Sequence, residues 1–419
     1  MSRPTKRVPH LPGPMGYGAS ELSRRKFLAA SGATAAAALL AACESDGDTA
    51  SDSTTPAASG DTTAGSTAEA GNRTLNLLTW EGYASDDVLD PFRAQFDATV
   101  TAELHVDDPT SINRLRAGEN KVFDIINVNN NWAQQVLFPD DLILPLDQDR
   151  FAPFFDTMLP QFKFPYKWAM SKDESELLGI IQRFGPFNFV VNTDVISAET
   201  ARDEGWNLFL DSAASGRFGI LTWDQWNVMH MSMVAGFDPF GQHSEDDIAA
   251  FGETASTLFS SAGLQTDDFG AMTTSLVNGE IDFYLTGGTY TTSAARLEGL
   301  TNVRGIVPES GPAADGTGGI TWIEVTSLIN NPNLSPVAED FLEYVQGPEV
   351  SYNVALAEGT HNPVAQMGNP DVLAKFSSKE LVALQFEDLD DDLSNTVDFD
   401  DIPQYDGLLE VYSEARRTS

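Results

Sequence analysis

The sequence contains a single cysteine, Cys43, among its 419 residues. One thiol cannot form an internal disulfide, and it excludes a zinc site built from several thiolates. Histidine is also scarce, and the five histidines lack the spacing of metal ligands: His10, His105, His230, His243 and His361. We therefore expect no disulfide framework, no metal site and no cofactor.

Basic residues are few, because 24 Lys and Arg stand against 62 Asp and Glu, for a formal net charge of −38. Binding to nucleic acid depends on Lys and Arg that neutralise phosphates, so a nucleic-acid partner is excluded. Adsorption to anionic lipid is disfavoured for the same reason. A strongly negative protein suits a cationic ligand or a saline habitat, and composition does not choose between them. Hydrophobic residues at 42% exclude disorder throughout.

Long hydrophobic runs are missing, and the uncharged stretch 27–42 is shorter than the ~18 apolar residues of a membrane-spanning helix. It follows Ser-Arg-Arg-Lys-Phe-Leu at 23–28, a layout typical of a signal peptide. This motif resembles the Tat signal, and Leu-Ala-Ala-Cys at 40–43 resembles the lipobox of bacterial lipoproteins. The resemblance implies lipidation at Cys43 and an extracytoplasmic, membrane-anchored protein. The alternative is a non-cleaved anchor helix.

Residues 44–72 are rich in Ser, Thr, Ala and Gly and contain no large apolar side chain. Such a segment cannot bury enough surface to offset its loss of conformational entropy. We therefore predict a signal peptide at 1–43, a disordered linker at 44–72, and a globular part that begins at residue 73.

From residue 73 the chain alternates apolar runs with segments of helical spacing, which predicts an α/β fold with mainly parallel strands. Ligand sites in such folds lie at the carboxyl ends of the strands. A helix near residue 91 either begins at Pro91, with Asp90 as its cap, or is kinked there. The predicted strands are 75–79, 100–106, 122–128, 179–182, 187–191, 218–222, 281–285, 303–307 and 322–329.

Motifs typical of enzymes are missing: the sequence has no G-x-S-x-G, no G-x-x-x-x-G-K-[ST] and no H-E-x-x-H. We predict that the protein is not an enzyme, with a secreted hydrolase that uses a carboxylate pair as the alternative. The acidic segment 386–406 carries nine acids and no base, but it lacks the glycine and glutamate of a calcium-binding loop. We predict a solvated acidic loop there.

Tryptophan recurs beside polar or acidic residues where predicted strands end. The instances are Trp80-Glu81-Gly82-Tyr83, Asn129-Asn130-Asn131-Trp132, Trp223-Asp224-Gln225-Trp226 and Trp322-Ile323-Glu324. An organic cation is held by carboxylates that accept its N–H bonds and by aromatic faces that attract its charge. Trp322 and Glu324 share one face of a strand because side chains alternate. The sequence thus predicts a cation site, and the alternative is that these tryptophans serve only packing.

Residues 74–415 resemble the spermidine/putrescine-binding proteins of bacterial ABC importers. The resemblance rests on LNLLTWEGYASDDVLDPFRAQF, VFDIINVNNNWAQQVL, GGITWIEVTSLI and EGTHNPVAQM. It implies a two-lobe periplasmic-binding-protein fold of type II, with the ligand clamped in a cleft between the lobes. Lobe one would be 73–184 with 325–368, and lobe two 185–324 with 369–419.

The resemblance also implies site residues and partners. Trp322 would stack on the ligand and Glu324 would pair with its amine. The expected ligand-binding residues are Trp80, Glu81, Tyr83, Asn130, Trp132, Asp224, Asn227, Trp322, Glu324 and Thr360. The expected partners are a polyamine and the subunits of an ABC permease, with the binding protein itself a monomer.

Three positions depart from the family's pattern. Asn227 stands where the family has a second acid, Leu285 where it has a stacking tryptophan, and Thr360 where it has a tyrosine. These departures leave another small organic amine or cation, shorter or singly charged, as the alternative ligand.

Overall fold

The computed structural model describes residues 73–356 and 359–419. The predicted signal peptide, the lipidation site Cys43 and the linker 44–72 lie outside the described residues. Within the described ranges, no helix has both the length and the apolar composition that crossing a membrane requires.

The described chain alternates strands with helices, as the sequence predicts. The strands are β1 (Thr74–Thr79), β2 (Thr99–Leu104), β3 (Ile125–Asn129), β4 (Ile143–Leu144), β5 (Ile180–Asn192), β6 (Phe218–Leu221), β7 (Leu264–Thr266), β8 (Phe283–Gly288), β9 (Val303–Ile306), β10 (Gly319–Ile329) and β11 (Thr396–Asp398). The α-helices span Asp86–Phe96, Asp108–Arg116, Gln148–Phe155, Ala198–Glu204, Asp224–Ala235, Glu245–Ser261, Phe269–Val277, Thr289–Leu297, Ala338–Tyr344, Pro348–Leu356, Pro370–Leu373, Ser378–Ala383, Leu389–Ser394 and Tyr405–Thr418.

One sheet runs through the described chain in the order β2-β1-β3-β10-β5-β8-β6-β7. The strands at its two ends are parallel, β1 with β2 and β3, and β6 with β7 and β8. The strands in the middle are antiparallel, because β10 runs opposite to β3 and β5, and β5 runs opposite to β8. The prediction of mainly parallel strands therefore holds at each end of the sheet and is wrong at its centre.

The two largest hydrophobic cores of the described residues pack on different parts of this sheet. The first core is built from buried side chains between residues 75 and 184 and between 323 and 389. The second core is built from side chains between residues 189 and 313 and from the C-terminal helix at 408–415. We call the parts of the chain around them the first and second lobes. On β5 the first core ends at Phe184 and the second begins at Phe189, so this long strand belongs to both lobes.

Residues 370–389 contact both lobes. Val372, Phe376, Leu384 and Leu389 pack in the first core, although the predicted boundary at 369 assigns them to lobe two. The same segment reaches the second lobe through Arg296, whose guanidinium donates to the carbonyl oxygen of Val382 at 2.7 Å. No signal in the sequence marks a boundary between the lobes here, because the segment contacts both of them.

The acidic segment 386–406 is not the solvated loop that its composition predicts. It contains the helix Leu389–Ser394 and strand β11, and several of its carboxylates accept bonds from side chains of the folded body. Asp392 pairs with Arg202 at 3.0 Å, and Asp398 accepts from the Tyr166 hydroxyl at 3.0 Å. The prediction fails because the partners of these acids lie about 190 to 230 residues away in the sequence.

Pro91 lies inside the helix Asp86–Phe96, so of the two alternatives from sequence the start at residue 91 is wrong and the helix runs through the proline. A proline in a helix leaves the carbonyl four residues earlier without its N–H partner. That carbonyl belongs to Asp87, and it accepts a hydrogen bond from the Asn353 side chain at 3.0 Å. Asn353 thus replaces the missing bond and lets the helix continue through the proline.

The centre of β5 is also misread from sequence, which predicts separate strands at 179–182 and 187–191. Arg183, Gly185 and Pro186 resemble a strand end, yet the strand is continuous and all thirteen of its residues are buried. Arg183 is tolerated because a carboxylate on β10 neutralises it. At Gly185 the chain packs on the Trp322 ring of the paired strand, which lies 3.4 Å from where a Cβ would stand.

His230 gives the second lobe a dependence on pH. It is fully buried, its Nε2 lies 2.8 Å from the carbonyl oxygen of Phe187, and burial lowers its pKa from 6.5 to about 3. Because the unfolded chain takes up this proton first, stability that is present above pH 6.5 is lost as the pH falls toward 3, at about 1.4 kcal/mol per pH unit. We expect the unfolding free energy of His230→Gln to fall less steeply between pH 6.5 and pH 3. Urea unfolding at a series of pH values measures this, and an equal dependence on pH in the two proteins would contradict the prediction.

Candidate cation-binding cleft

A cavity of about 380 Å³ lies at the carboxyl ends of strands from both lobes. β1 leads to Trp80, β2 to Asp107, and β6 to Trp223, while Tyr290 follows β8. This is where the α/β pattern predicts a ligand site. The cavity is lined by Trp80, Glu81, Val106, Asp107, Asp108, Asn129, Arg183, Phe187, Trp223, Asp224, Gln225, Trp226, Tyr290, Trp322 and Glu324.

Aromatic rings form much of the cavity wall. The Phe187 and Trp223 rings are stacked with centroids 5.9 Å apart, and the Trp226 ring meets Phe187 at 4.7 Å. Tyr290 meets the edge of Trp322, with ring centroids 6.3 Å apart. These rings come from the second lobe, from β10 and from the part of β5 beyond Gly185. They offer several π faces to a bound cation.

Arg183 and Glu324 form a buried ion pair at the cavity floor, with side chains 1% and 3% exposed. The guanidinium donates from Nη2 to Oε1 at 2.7 Å and from Nε to Oε2 at 3.0 Å. The Tyr83 hydroxyl donates to Oε2 at 2.6 Å, so both carboxylate oxygens are engaged. Burial raises the pKa of the Glu324 carboxyl, and the attraction of Arg183 opposes that rise.

Glu81 lies beside this pair and is less enclosed. Its Oε1 accepts from the Tyr290 hydroxyl at 3.1 Å and from Thr360 at 3.2 Å, and Arg183 Nη2 is 3.7 Å away. Burial acts to raise the pKa of Glu81, but the charge of Arg183 and these hydrogen bonds outweigh it, so the pKa is lowered. Glu81 is therefore a carboxylate at neutral pH.

The other acids of the lining are already hydrogen-bonded. Asp107 caps the helix Asp108–Arg116 by accepting from the Thr110 N–H at 2.7 Å. Asp108 accepts from the Asn129 amide at 2.8 Å, and burial raises its pKa to about 7. Asp224, half exposed, accepts from the Tyr412 hydroxyl at 3.1 Å and pairs with Arg416 at 3.3 Å.

The structure brings together half of the ten residues that the sequence predicts for ligand binding. Those that line the cavity are Trp80, Glu81, Asp224, Trp322 and Glu324. Those that do not line it are Tyr83, Asn130, Trp132, Asn227 and Thr360. Tyr83 and Thr360 lie one layer behind, where they donate to Glu324 and Glu81.

Asn130 and Asn227 have roles within the fold. Asn130 is fully buried and its Oδ1 accepts from the N–H of Ile323 at 2.8 Å, which links the end of β3 to β10. Asn227 is fully buried too, and its amide donates to the carbonyl oxygen of Leu221 at 2.7 Å. An acid at position 227 would therefore stand in the second core and not in the cavity.

Sequence reasoning misses Arg183, Phe187, Tyr290 and Asp108. The available signal for Arg183 is a single charge inside an otherwise apolar stretch, IIQRFGPFNFVV, which reads as a strand break. Tyr290 lies two residues after β8, in the first turn of the helix Thr289–Leu297. Nothing in the neighbouring sequence distinguishes it from other residues that begin a helix. In the described part of the chain, no group of three or more His, Cys, Asp or Glu could hold a metal ion.

Several solved structures share this fold. The spermidine/putrescine ABC transporter substrate-binding protein of Streptococcus pneumoniae is 14% identical, with a TM-score of 0.62, over 82% of this chain and 99% of its own. The TpPotD lipoprotein of Treponema pallidum is 12% identical, with a TM-score of 0.63, over 83% of this chain and 100% of its own. The chain has the two-lobe fold of solute-binding proteins.

This finding confirms the predicted fold class, an α/β two-lobe periplasmic-binding-protein architecture. The same fold also carries a ferric ion-binding protein A of Pasteurella haemolytica, 12% identical, with a TM-score of 0.53, over 82% of this chain and 98% of its own. No protein-family model matches the sequence, and no curated protein sequence matches it either. At these identities the likeness is one of fold.

Proposed function

We propose that this chain is the solute-binding protein of an ABC importer and that it captures a small organic cation. The observation that carries the proposal is the cavity between the two lobes, where Trp223, Tyr290 and Trp322 stand beside the carboxylate Glu81. Aromatic faces and a carboxylate attract a cation together, and each contact is stronger where water is excluded. The two-lobe fold supports capture and release without chemistry on the ligand.

The sequence resemblance favours a polyamine as the cation, and the alternative is another small organic amine or cation bound by the same fold. The fold alone does not select between them, because proteins that share it include a spermidine/putrescine-binding protein and a ferric ion-binding protein. Polyamine capture is therefore a proposal that rests on the motifs of the sequence.

The proposed partners and location also follow from the sequence. The twin arginines at 24–25 and the cysteine at 43 support Tat export and a lipid anchor on the extracytoplasmic side of the cell membrane. An anchored binding protein would deliver its ligand to permease subunits in the same membrane. Release of the Cys43→Ala protein from the membrane fraction would test the anchor.

A thermal-shift screen of residues 73–419 tests the proposed function across organic amines, quaternary ammonium compounds, amino acids and sugars. A ligand at 100 times its dissociation constant stabilises the folded state by about 2.7 kcal/mol, which moves the melting temperature by several degrees. We expect shifts from organic cations only. Shifts from sugars or anions, with none from cations, would contradict the proposal.

A further inference from the structure

We propose that Arg183 acts as a built-in cation that occupies Glu324, so the cleft selects an organic cation with a single charged head over a polyamine. This inference rests on the proposed function and narrows its ligand class. It makes Arg183 a residue that determines specificity, although sequence analysis does not predict it for the site.

The first support is that both carboxylate oxygens of Glu324 are already engaged and that its side chain is almost wholly buried. Both of its oxygens already accept bonds from Arg183, and Oε2 also accepts the Tyr83 hydroxyl. The paired side chains are 1% and 3% exposed. An ammonium group could reach this carboxylate only by displacing a guanidinium, and a guanidinium does not lose its charge by deprotonation.

The second support is that Arg183 is fixed from several sides. The residue is part of β5, all of which is buried, and its guanidinium carbon lies 5.4 Å from the centre of the Tyr83 ring. Behind it the chain passes at Gly82, where an added Cβ would stand 2.7 Å from Nη1. A side chain at position 82 would therefore clash with the guanidinium in its present place, so Gly82 lets Arg183 pack closely against the chain.

The third support comes from the acids that remain. Asp224 is paired with Arg416, Asp107 caps a helix, and Asp108 is bonded to Asn129. Glu81 differs, because Arg183 Nη2 is 3.7 Å away and its side-chain hydrogen bonds come from two neutral hydroxyls, those of Tyr290 and Thr360. The cleft therefore offers one carboxylate beside aromatic rings, which suits one cationic head with apolar substituents.

A second charge on the ligand would find Arg183 in place of a free carboxylate. Because Arg183 and Glu324 already neutralise each other, the second ammonium of a diamine would lose its hydration there without gaining a countercharge, so the diamine loses affinity. A monoamine of the same length avoids that loss. A quaternary ammonium head needs no hydrogen-bond acceptor and presents its charge to the ring faces.

The test compares three probes of matched length by isothermal titration: n-butylamine, putrescine and n-butyltrimethylammonium. In the wild-type protein we expect both monocations to bind, and putrescine to bind at least tenfold more weakly than n-butylamine. Arg183→Met keeps an apolar stem and frees Glu324, so it should raise the affinity for putrescine relative to n-butylamine at least tenfold. Arg183→Lys keeps the charge and should keep the wild-type preference.

The wild-type series decides the question even where Arg183→Met does not fold. If putrescine binds the wild-type protein more tightly than n-butylamine, or less than tenfold more weakly, the role of Arg183 is overturned and the proposed function is left intact. Binding of none of the three probes overturns the proposed function as well. An unchanged preference in a folded Arg183→Met protein overturns the inference alone.

Discussion

Glu324→Gln is expected to lower the free energy of unfolding by about 3–5 kcal/mol, because it leaves the buried Arg183 guanidinium without its countercharge. The amide keeps one acceptor oxygen but presents N–H donors to the N–H donors of Arg183. The Arg183 side chain is 1% exposed, so water cannot replace the lost partner. Urea unfolding of the variant and of the wild type measures the difference.

The matched control is Glu343→Gln, which removes a carboxylate from Arg150 at the surface. That pair has a similar separation, 2.8 Å, but the Glu343 side chain is 50% exposed, so we expect a loss of about 1 kcal/mol or less. The double variant Glu324→Gln with Arg183→Met should regain part of the loss, because it removes both buried charges. A loss in Glu324→Gln no larger than that of the control would mean that the buried pair does not stabilise the fold.

Trp322→Ala is expected to weaken binding of n-butyltrimethylammonium by about 2–4 kcal/mol, or roughly 30- to 700-fold. The ring lies at the cavity wall, 6% exposed, in edge contact with Tyr290. Its removal takes away a cation–π partner and admits water beside Glu81. Isothermal titration on protein verified as folded by circular dichroism gives the affinity.

Trp132→Ala provides the comparison, since Trp132 is also predicted from sequence to bind ligand but does not line the cavity. We expect its affinity to stay within about twofold of wild type, which is about 0.4 kcal/mol. Equal losses in the two variants would indicate a general effect on the lobe and not a contact with the ligand.

Much of the fold could be predicted from sequence because apolar strands and helices alternate along the chain. Alternation along the strand predicts that Trp322 and Glu324 share one face of β10, and both line the cavity, although the register with β5 shifts at Glu324. The direction of the central strands could not be predicted, because it depends on which strands cross between the lobes. β5 and β10 pair across more than 130 residues of intervening sequence, a relation that local periodicity does not encode.

The sequence indicates residues around the cavity but not how their charges are paired. Trp80 and Asp224 follow strand ends and Trp322 lies within β10, and all three line the cavity. The pairing of Glu324 with Arg183 joins residues 141 positions apart, and nothing local to either residue indicates it. The Glu324 carboxylate, which the sequence predicts to be available to a ligand, is therefore already paired in the fold.

The division of the cores among distant segments fixes when the chain can fold during its synthesis. The first core needs residues 323–389 to join 75–184, and the second core needs Tyr412 from the C-terminal helix. The first core is incomplete until Leu389 has been synthesised and the second until Ala415 has been, and such long-range pairing is slow. Until then the chain exposes parts of both apolar cores, a state in which aggregation competes with folding.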